Sequence, residues 1–554
     1  MLKKAPPIGN DLFNVVRENG YYYIDKSLMI KDFVEFRDTA ALITRPRRFG
    51  KTLNITMLRE FFDITKDSRA IFNGLAIMDT EYAKLINSRP VIYLSFKDCK
   101  ADSQESLIFA INTVVLEEYD KHYNAMKITR ENPADTNKNN YTYDGYYDFI
   151  LIYNKLKNRE LDKNYLSISI KALEKTLAYH YKIKPVVLID EYDQPILSSY
   201  EYGYYNKLTT FFSGFYGAAL KGQEHMHQAL LTGIQRVVKE SVFSQLNNIR
   251  LYTVLDEGYS GYFGLTSSEA ENLLNYYGLR LDEPVTQKYD GYTIGNNELY
   301  NPWSLLNYAG TGKLDNYWIN TSTNFLIKKS IDGADDFFHD NFNRLISDGS
   351  VRVGADIGSS FIELKNNSTL WGLLINAGYV TVTGRTGEYL MDIRIPNGEV
   401  GSEFIKIIAG RANLQDADLR IMFDCLINKD IDGFINIYRQ LVVSCTSYFD
   451  AKENAYHMLF LGMCITLRHI YKINSNIEAG HGRSDIILES SSPERPHIII
   501  EFKQGENIDG LKHTALRQII ENKYNTGLHG DVLCIGIAHD KKRCAAVHEL
   551  IKAN

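Results

Sequence analysis

The sequence predicts an α/β protein: a parallel N-terminal sheet, a mixed middle region, and a C-terminal domain of α-β-β-β-α-β order. Three observations predict it. Short apolar runs alternate with amphipathic stretches over the first 260 residues, the pattern of a parallel sheet covered by helices. A Gly-Lys-Thr triplet (50–52) joins the first apolar run to the first amphipathic stretch. Near the C-terminus, three closely spaced apolar runs precede a helical stretch and one more apolar run.

Residues 41–44 (ALIT) form the first strand. RPRRFGKT and then TLNITMLREFF follow, with Leu53, Met57, Leu58, Phe61 and Phe62 near helical spacing. PVIYLSF (90–96), PVVLID (185–190) and ALLTGI (229–234) read as further strands and 103–122 as a helix. Residues 120–160 are polar and rich in Asn, Tyr and Lys, an insertion or a set of exposed helices. These elements give a first domain at 1–260. The middle region, 261–402, opens with LTSSEAENLLNYYGL, where Thr266 or Ser267 stands before Glu269 as in a capping box. Turns are signalled at Asp290-Gly291 and Asn301-Pro302, and hairpin-like pieces lie around Gly378–Ile395. In the last part, 403–554, residues 403–447 and 453–470 read as helices. IYKINSNIEA, SDIILES and HIIIEFK read as strands, LKHTALRQIIENKY as a helix, and DVLCIGIA as the final strand.

Composition narrows the classes. A chain of 554 residues exceeds one core, and 44% hydrophobic with 23% charged residues is globular. The net charge of -6 gives no global attraction to nucleic acid, so any such contact needs a local basic surface. Six scattered cysteines (Cys99, Cys425, Cys445, Cys464, Cys534, Cys544) form no CxxC pair and no zinc spacing, which fits a reducing cytoplasm. The N-terminus has no apolar signal-peptide core, and no run of about 18 apolar residues spans a membrane.

Arg45-Pro46-Arg47-Arg48-Phe49-Gly50-Lys51-Thr52 lies between a strand and a helix. Phosphate binding needs backbone N–H groups aimed at the anion, a lysine for the β/γ charge and a hydroxyl for Mg²⁺; Gly50, Lys51 and Thr52 supply the second half of that pattern. Arg45 replaces its first glycine. Arg47 and Arg48 either add charge to the site or are solvated. Val186–Ile189 ends in Asp190 and Glu191. At such a strand end behind a phosphate loop, the first acid can help hold the Mg²⁺ shell and the next can polarise the attacking water. A core strand ending in a polar turn would look the same. Thr232 ends ALLTGI, where a hydroxyl can sense the γ-phosphate, and Arg236 follows it; an ordinary strand threonine and loop arginine fit equally well.

Asp485 lies on one C-terminal strand and Glu501 sixteen residues later on the next, with Lys503 two positions on and therefore on the same face as Glu501. Two carboxylates suit a hard cation such as Mg²⁺, which activates water for phosphodiester cleavage, and Lys503 suits the position beside that water. Glu453 is a candidate third carboxylate. His457 and His481 are lone histidines, more often structural than catalytic. The same short pattern also fits an amphipathic strand with a surface Glu–Lys pair.

RPRRFGKT, VVLIDEYDQPI, LTGIQRV with SQLNN, YDGY and LYNPWS together resemble the prokaryotic AAA-ATPase-like proteins that carry a C-terminal PD-(D/E)XK nuclease domain. The resemblance runs from Tyr23-Ile24-Asp25-Lys26 to the last strand. It implies a P-loop NTPase sheet, ATP binding and hydrolysis through Arg47, Arg48, Phe49, Gly50, Lys51, Thr52, Asp190, Glu191 and Thr232, and a restriction-endonuclease-like C-terminal domain. RPRRFGK is typical of that family, so Arg45 does not imply a dead site. GRSDIIL, IIIEFK and the ALRQIIENKY helix are similar to the family's nuclease core, and Gln518 and Tyr524 match its recurring polar positions, as metal-shell support or as packing. Two expectations follow. One is an ATP-regulated, metal-dependent nuclease acting on DNA or RNA; the other is a nucleotide-dependent switch whose C-terminal fold only docks partners. Self-association into a homo-oligomer stays open.

Overall fold

The computed structural model describes residues 3–126, 146–160, 162–221, 224–236, 248–318, 331, 334–358, 366–411, 416–444, 460, 463–467, 470–540 and 543–553. They fall into two compact units, residues 1–330 with 355–378, and residues 331–354 with 379–554. The middle region expected at 261–402 is thus divided between the units.

In the first unit, β1 (Ala40–Thr44), β2 (Val91–Ser95), β3 (Val186–Asp190), β4 (Gln228–Gly233) and β5 (Ile249–Tyr252) form a parallel sheet in the order β2-β3-β4-β1-β5. β1, β3 and β4 are buried along their whole length, as strands covered on both faces must be, and read as continuous apolar runs. The register sets Ile43 beside Thr232, Thr44 beside Gly233 and Ser95 beside Asp190, so the carboxyl ends of these strands lie at one edge of the sheet. Helix α1 (Lys51–Phe62) leaves the end of β1 and packs over β2, β3 and β4. The helix expected at 103–122 is α2 (Gln104–Ala125), whose N-cap Ser103 accepts from the Ser106 N–H. Helix α3 (Ser267–Tyr277) carries the complete capping box of Thr266 and Glu269, and ends at Gly278, whose φ of 79° suits glycine. Asn301 caps the helix Pro302–Thr311, with proline in the first turn.

In the second unit, β8 (Ser350–Gly354), β9 (Thr381–Thr386) and β10 (Leu390–Arg394) make an antiparallel sheet in the order β8-β10-β9; β6 (Tyr292–Ile294) and β7 (Asn297–Leu299) are a small hairpin of the first unit. The expected hairpin around 378–395 is β9–β10. The helical stretch expected at 403–447 is three helices, Gly398–Arg411, Asp416–Ile427 and Ile431–Ser444. A second sheet has β11 (Tyr471–Ala479), β12 (Gly482–Ser490), β13 (His497–Gln504), β14 (Gly530–Asp540) and β15 (Arg543–Ala553) in sequential order. Only β13–β14 is parallel, and helix α4 (Ile508–Glu521) makes that crossover. Ile487, Ile499, Leu516, Ile519, Tyr524, Val532 and Cys534 pack between α4 and the sheet.

In the two five-stranded sheets, two strands depart from the expectation. β5 was hidden because only one of its four residues is buried, so it lacks the apolar run that marked its neighbours. β15 extends the sheet beyond the strand expected to be last. Its sequence, RCAAVHELIKA, is rich in helix formers, and pairing along the whole of β14 overrides that propensity. Of the helix expected at 453–470, the described residues include a 3₁₀ turn at Cys464–Leu467; Glu453 and His457 lie outside the described residues. Among the described residues no helix is long and apolar enough to cross a membrane.

Candidate functional site

The first site lies at the carboxyl edge of the parallel sheet. Asp190, the last residue of β3, is fully buried and accepts two hydroxyl hydrogen bonds: from Thr52 Oγ1 to Oδ2 at 2.7 Å and from Thr232 Oγ1 to Oδ1 at 2.6 Å. Residues from α1, β3 and β4 therefore meet on one carboxylate. Burial pushes the Asp190 carboxyl up, and the two hydroxyls and Lys51 counter it. Gly50, with φ of 82°, turns the chain from the loop into α1 in a conformation glycine adopts freely. Lys51 follows, 7% exposed, and its ammonium donates to the loop carbonyls of Arg45 (3.0 Å) and Pro46 (2.8 Å). Burial lowers it to about 8, against the pull of Glu191, Asp193 and Asp190. Glu191 sits next to Asp190 with φ of 52°, and burial, followed by the Asp190 charge, raises its carboxyl to about 6.

The other loop residues point elsewhere. Arg45 is completely buried; its Nη1 donates to the carbonyls of Thr44 (2.9 Å), Tyr252 (3.0 Å) and Thr253 (2.7 Å), and its Nη2 to Gly258 (3.3 Å). Its guanidinium also stands 5.4 Å from the Phe263 ring centroid. Where a glycine would leave the loop loose, Arg45 fastens it to the chain after β5. Arg48, with φ of 66°, lies 4.3 Å over the Trp303 ring and donates to the Tyr317 carbonyl at 2.9 Å. Phe49 is buried edge-on against Tyr292, 4.8 Å between centroids. Arg47 is half-buried, and its charge acts on Lys51 and Glu191. Arg236 lies beside Gly358, where an added Cβ would come within 2.9 Å of its Nη1. Sequence reasoning passed over Asp193, which the structure buries at 2% exposure next to this site; its place three residues after Asp190 was the available signal.

The second site lies where β12 and β13 part. Ile486 pairs with Ile500, and the strands diverge at the next pair, Asp485 and Glu501. Asp485 Oδ2 accepts the Phe502 N–H at 2.8 Å, and Glu501 Oε2 accepts the Asp485 N–H at 3.3 Å. Lys503 Nζ donates to Glu501 Oε1 at 3.2 Å and to the Phe502 carbonyl at 3.0 Å. Gln518, from α4, donates to Glu501 Oε1 and, at 3.1 Å, to the Tyr524 hydroxyl, which in turn donates to the Arg483 carbonyl at 2.8 Å. Asp485, Glu501, Lys503, Gln518 and Tyr524 thus belong to one network. The exposed His481 donates its backbone N–H to the Asn522 carbonyl at 2.8 Å. Gly480 beside it, φ 54°, admits that contact: a Cβ there would lie 2.0 Å from the Asn522 carbonyl oxygen.

Glu501 is 2% exposed, and burial, then the Asp485 charge, pushes its carboxyl up to about 7 in spite of Lys503. A buried carboxylate crowded by another is the situation a bound cation relieves, and two hard oxygen ligands suit Mg²⁺, which keeps several waters. Among the described residues no group of three or more His, Cys, Asp or Glu side chains converges as a metal site, so waters and substrate oxygens would have to complete the shell.

The two sites fall within segments that match known protein families. Residues 7–243 match the family described as Predicted AAA-ATPase, and residues 451–549 match the PD-(D/E)XK nuclease superfamily. The chain is also similar to an uncharacterized protein from the vnfD 5′ region of Azotobacter chroococcum mcd 1, 25% identical over 464 residues that make up 80% of this chain and 78% of the relative.

Proposed function

Because the chain carries an AAA-ATPase-like domain at residues 7–243 and a PD-(D/E)XK nuclease superfamily domain at residues 451–549, we propose that it binds and hydrolyses ATP and uses that cycle to govern a metal-dependent phosphodiesterase acting on DNA or RNA in the cytoplasm. The observation that carries the ATPase half is the convergence of Thr52 and Thr232 on Asp190 beside Lys51 and Glu191.

In this reading the loop N–H groups and the amino end of α1 receive the phosphates, and Lys51 exchanges the carbonyls of Arg45 and Pro46 for phosphate oxygens. Thr52 and Asp190 would hold Mg²⁺, which neutralises charge on the β- and γ-phosphates when bound. Glu191 accepts a proton from the attacking water; its carboxyl, raised to about 6, is a better base than an ordinary glutamate and is still ionised at neutral pH. Thr232, fixed by Asp190, presents its hydroxyl at the end of β4.

At the second site Asp485 and Glu501 would hold the cation, which lowers the pKa of bound water and polarises the phosphate when present. Lys503 orients the attacking water and balances the charge that develops on the phosphate. Gln518 and Tyr524 keep Glu501 aimed across the fork between β12 and β13. A cleavage assay on single- and double-stranded DNA and RNA, with and without ATP and Mg²⁺, tests both halves. Metal-dependent cleavage that changes with ATP is expected; binding without cleavage of any of these substrates would leave only a docking function for the second domain.

A further inference from the structure

We infer that Asp193 is a positioning residue for ATP hydrolysis: it staples the turn after β3 to the turn after β4 and so holds Glu191 in the conformation that aims its carboxylate. The inference rests on the ATPase reading above. Three observations carry it.

The first is where the Asp193 carboxylate goes. Asp193 stands at the N-cap of the helix Gln194–Glu201, where an aspartate ordinarily accepts from its own helix, yet it makes no side-chain cap bond. Its Oδ2 instead accepts the backbone N–H groups of both Ile234 and Gln235, each at 2.8 Å, immediately beyond β4. The second is that the neighbouring residue is sewn to the same strand. The Tyr192 N–H donates to the Thr232 carbonyl at 3.1 Å, the Tyr192 hydroxyl to the Gln235 carbonyl at 2.6 Å, and the Tyr216 hydroxyl closes the Tyr192 carbonyl at 2.6 Å. The approach is so close that Gly233 cannot carry a side chain: a Cβ there would lie 2.6 Å from the Tyr192 ring and 2.8 Å from Asp193 Oδ1.

The third is the backbone of Glu191 itself. Its φ of 52° is left-handed, a conformation a glutamate holds only where surrounding contacts fix it. The residues on either side are fixed: Asp190 by the hydroxyls of Thr52 and Thr232, and Tyr192 with Asp193 by the turn after β4. Releasing the Asp193 end frees Glu191 to relax, while the phosphate loop, Lys51 and Thr52 stay in place. Loss of Asp193 therefore affects turnover rather than nucleotide affinity.

The test is a double-mutant cycle in the full-length chain, with ATP affinity measured by equilibrium binding and turnover by phosphate release. Asp193→Ala is expected to lower kcat at least about tenfold with ATP affinity within about threefold of the parent. Asp193→Asn, whose amide oxygen still accepts N–H bonds, is expected to recover most of that loss. Gly233→Ala, which pushes on the same turn from the β4 side, is expected to reproduce Asp193→Ala. In a Glu191→Gln background, Asp193→Ala is expected to cost less than about twofold, because the group it positions no longer acts as a base. Equal losses in both backgrounds, a parallel fall in ATP affinity, or parent-like turnover in both Asp193→Ala and Gly233→Ala would overturn the inference. A parent chain that binds ATP and never hydrolyses it overturns the hydrolysis reading, and this inference with it; parent turnover combined with any of the former results overturns only the role of Asp193.

Discussion

The Thr232 hydroxyl donates to Asp190 Oδ1 at 2.6 Å although the two residues are 42 positions apart, on β4 and β3. Thr52 occupies the other oxygen of the same carboxylate. Thr232→Val keeps the shape of the side chain and removes the hydroxyl, leaving a buried Asp190 oxygen without its partner. Turnover is expected to fall about tenfold or more, with a smaller change in ATP affinity, read by phosphate release and equilibrium binding.

Lys51 is held by carbonyls of its own loop, so its removal leaves the sheet intact. Lys51→Ala is expected to keep its thermal transition near that of the parent and to lose ATP binding by at least about a hundredfold, measured by calorimetric titration. Glu191→Gln is expected to bind ATP normally and to hydrolyse it about a hundredfold more slowly. Parent-like ATP affinity in the folded Lys51→Ala protein would remove the lysine from the site.

Arg45 offers a contrary prediction. Judged by the usual phosphate-loop pattern, Arg45→Gly restores the missing glycine and would be harmless. The structure gives that guanidinium four carbonyl partners in a fully buried setting. Arg45→Gly is therefore expected to cost about 3 kcal/mol or more of stability, because the carbonyls lose their donors and a cavity opens. Denaturant unfolding checks it.

What was legible in the sequence follows from which interactions are local. The Gly50-Lys51-Thr52 turn, the Asp190-Glu191 strand end, the capping box at Thr266 and Glu269, and the Glu501/Lys503 spacing are written within a few residues each. Strand β5 and strand β15 owe their form to a neighbouring strand, so neither their apolar pattern nor their propensity marked them. Arg45, Arg48 and Phe49 had the same limitation: their partners Thr253, Trp303 and Tyr292 lie far along the chain. Asp193 was hidden for another reason, since an acid before Gln-Pro at a helix start looks like an ordinary N-cap until the β4 turn is seen to claim it.

Two groups lose their stabilising contributions in acid, each in its own pH window. His227 is half-buried beside Arg89 and Lys184; that burial first, then those charges, draws it from 6.5 down to about 4. A depressed histidine favours the folded state fully above pH 6.5, and that contribution is lost as pH falls towards 4. Glu118 is buried, which alone would raise it, but Lys121, His122 and the Tyr93 N–H together bring it from 4.5 down to about 2. Its contribution is complete above pH 4.5 and is lost between there and pH 2. Glu501 and Glu191, raised to about 7 and about 6, act in the opposite sense between pH 7 and 4.5. The histidine contribution is therefore read as the difference in urea midpoints between the parent and His227→Phe, which should narrow as pH falls from 6.5 towards 4, while Glu118→Gln should flatten the lower window. An unchanged slope below pH 4.5 in that variant would reject the assignment.

The central claim is that one chain joins an ATPase to a metal-dependent nuclease. The most direct measurement is cleavage of DNA and RNA by the full-length protein in Mg²⁺, alongside Glu501→Ala, Asp485→Ala and Lys503→Ala. Cleavage that is abolished by chelation, lost at least about a hundredfold in each variant, and altered by ATP in the parent but not in Lys51→Ala is the predicted result. Cleavage that persists without metal, or that survives intact in Glu501→Ala, would contradict it.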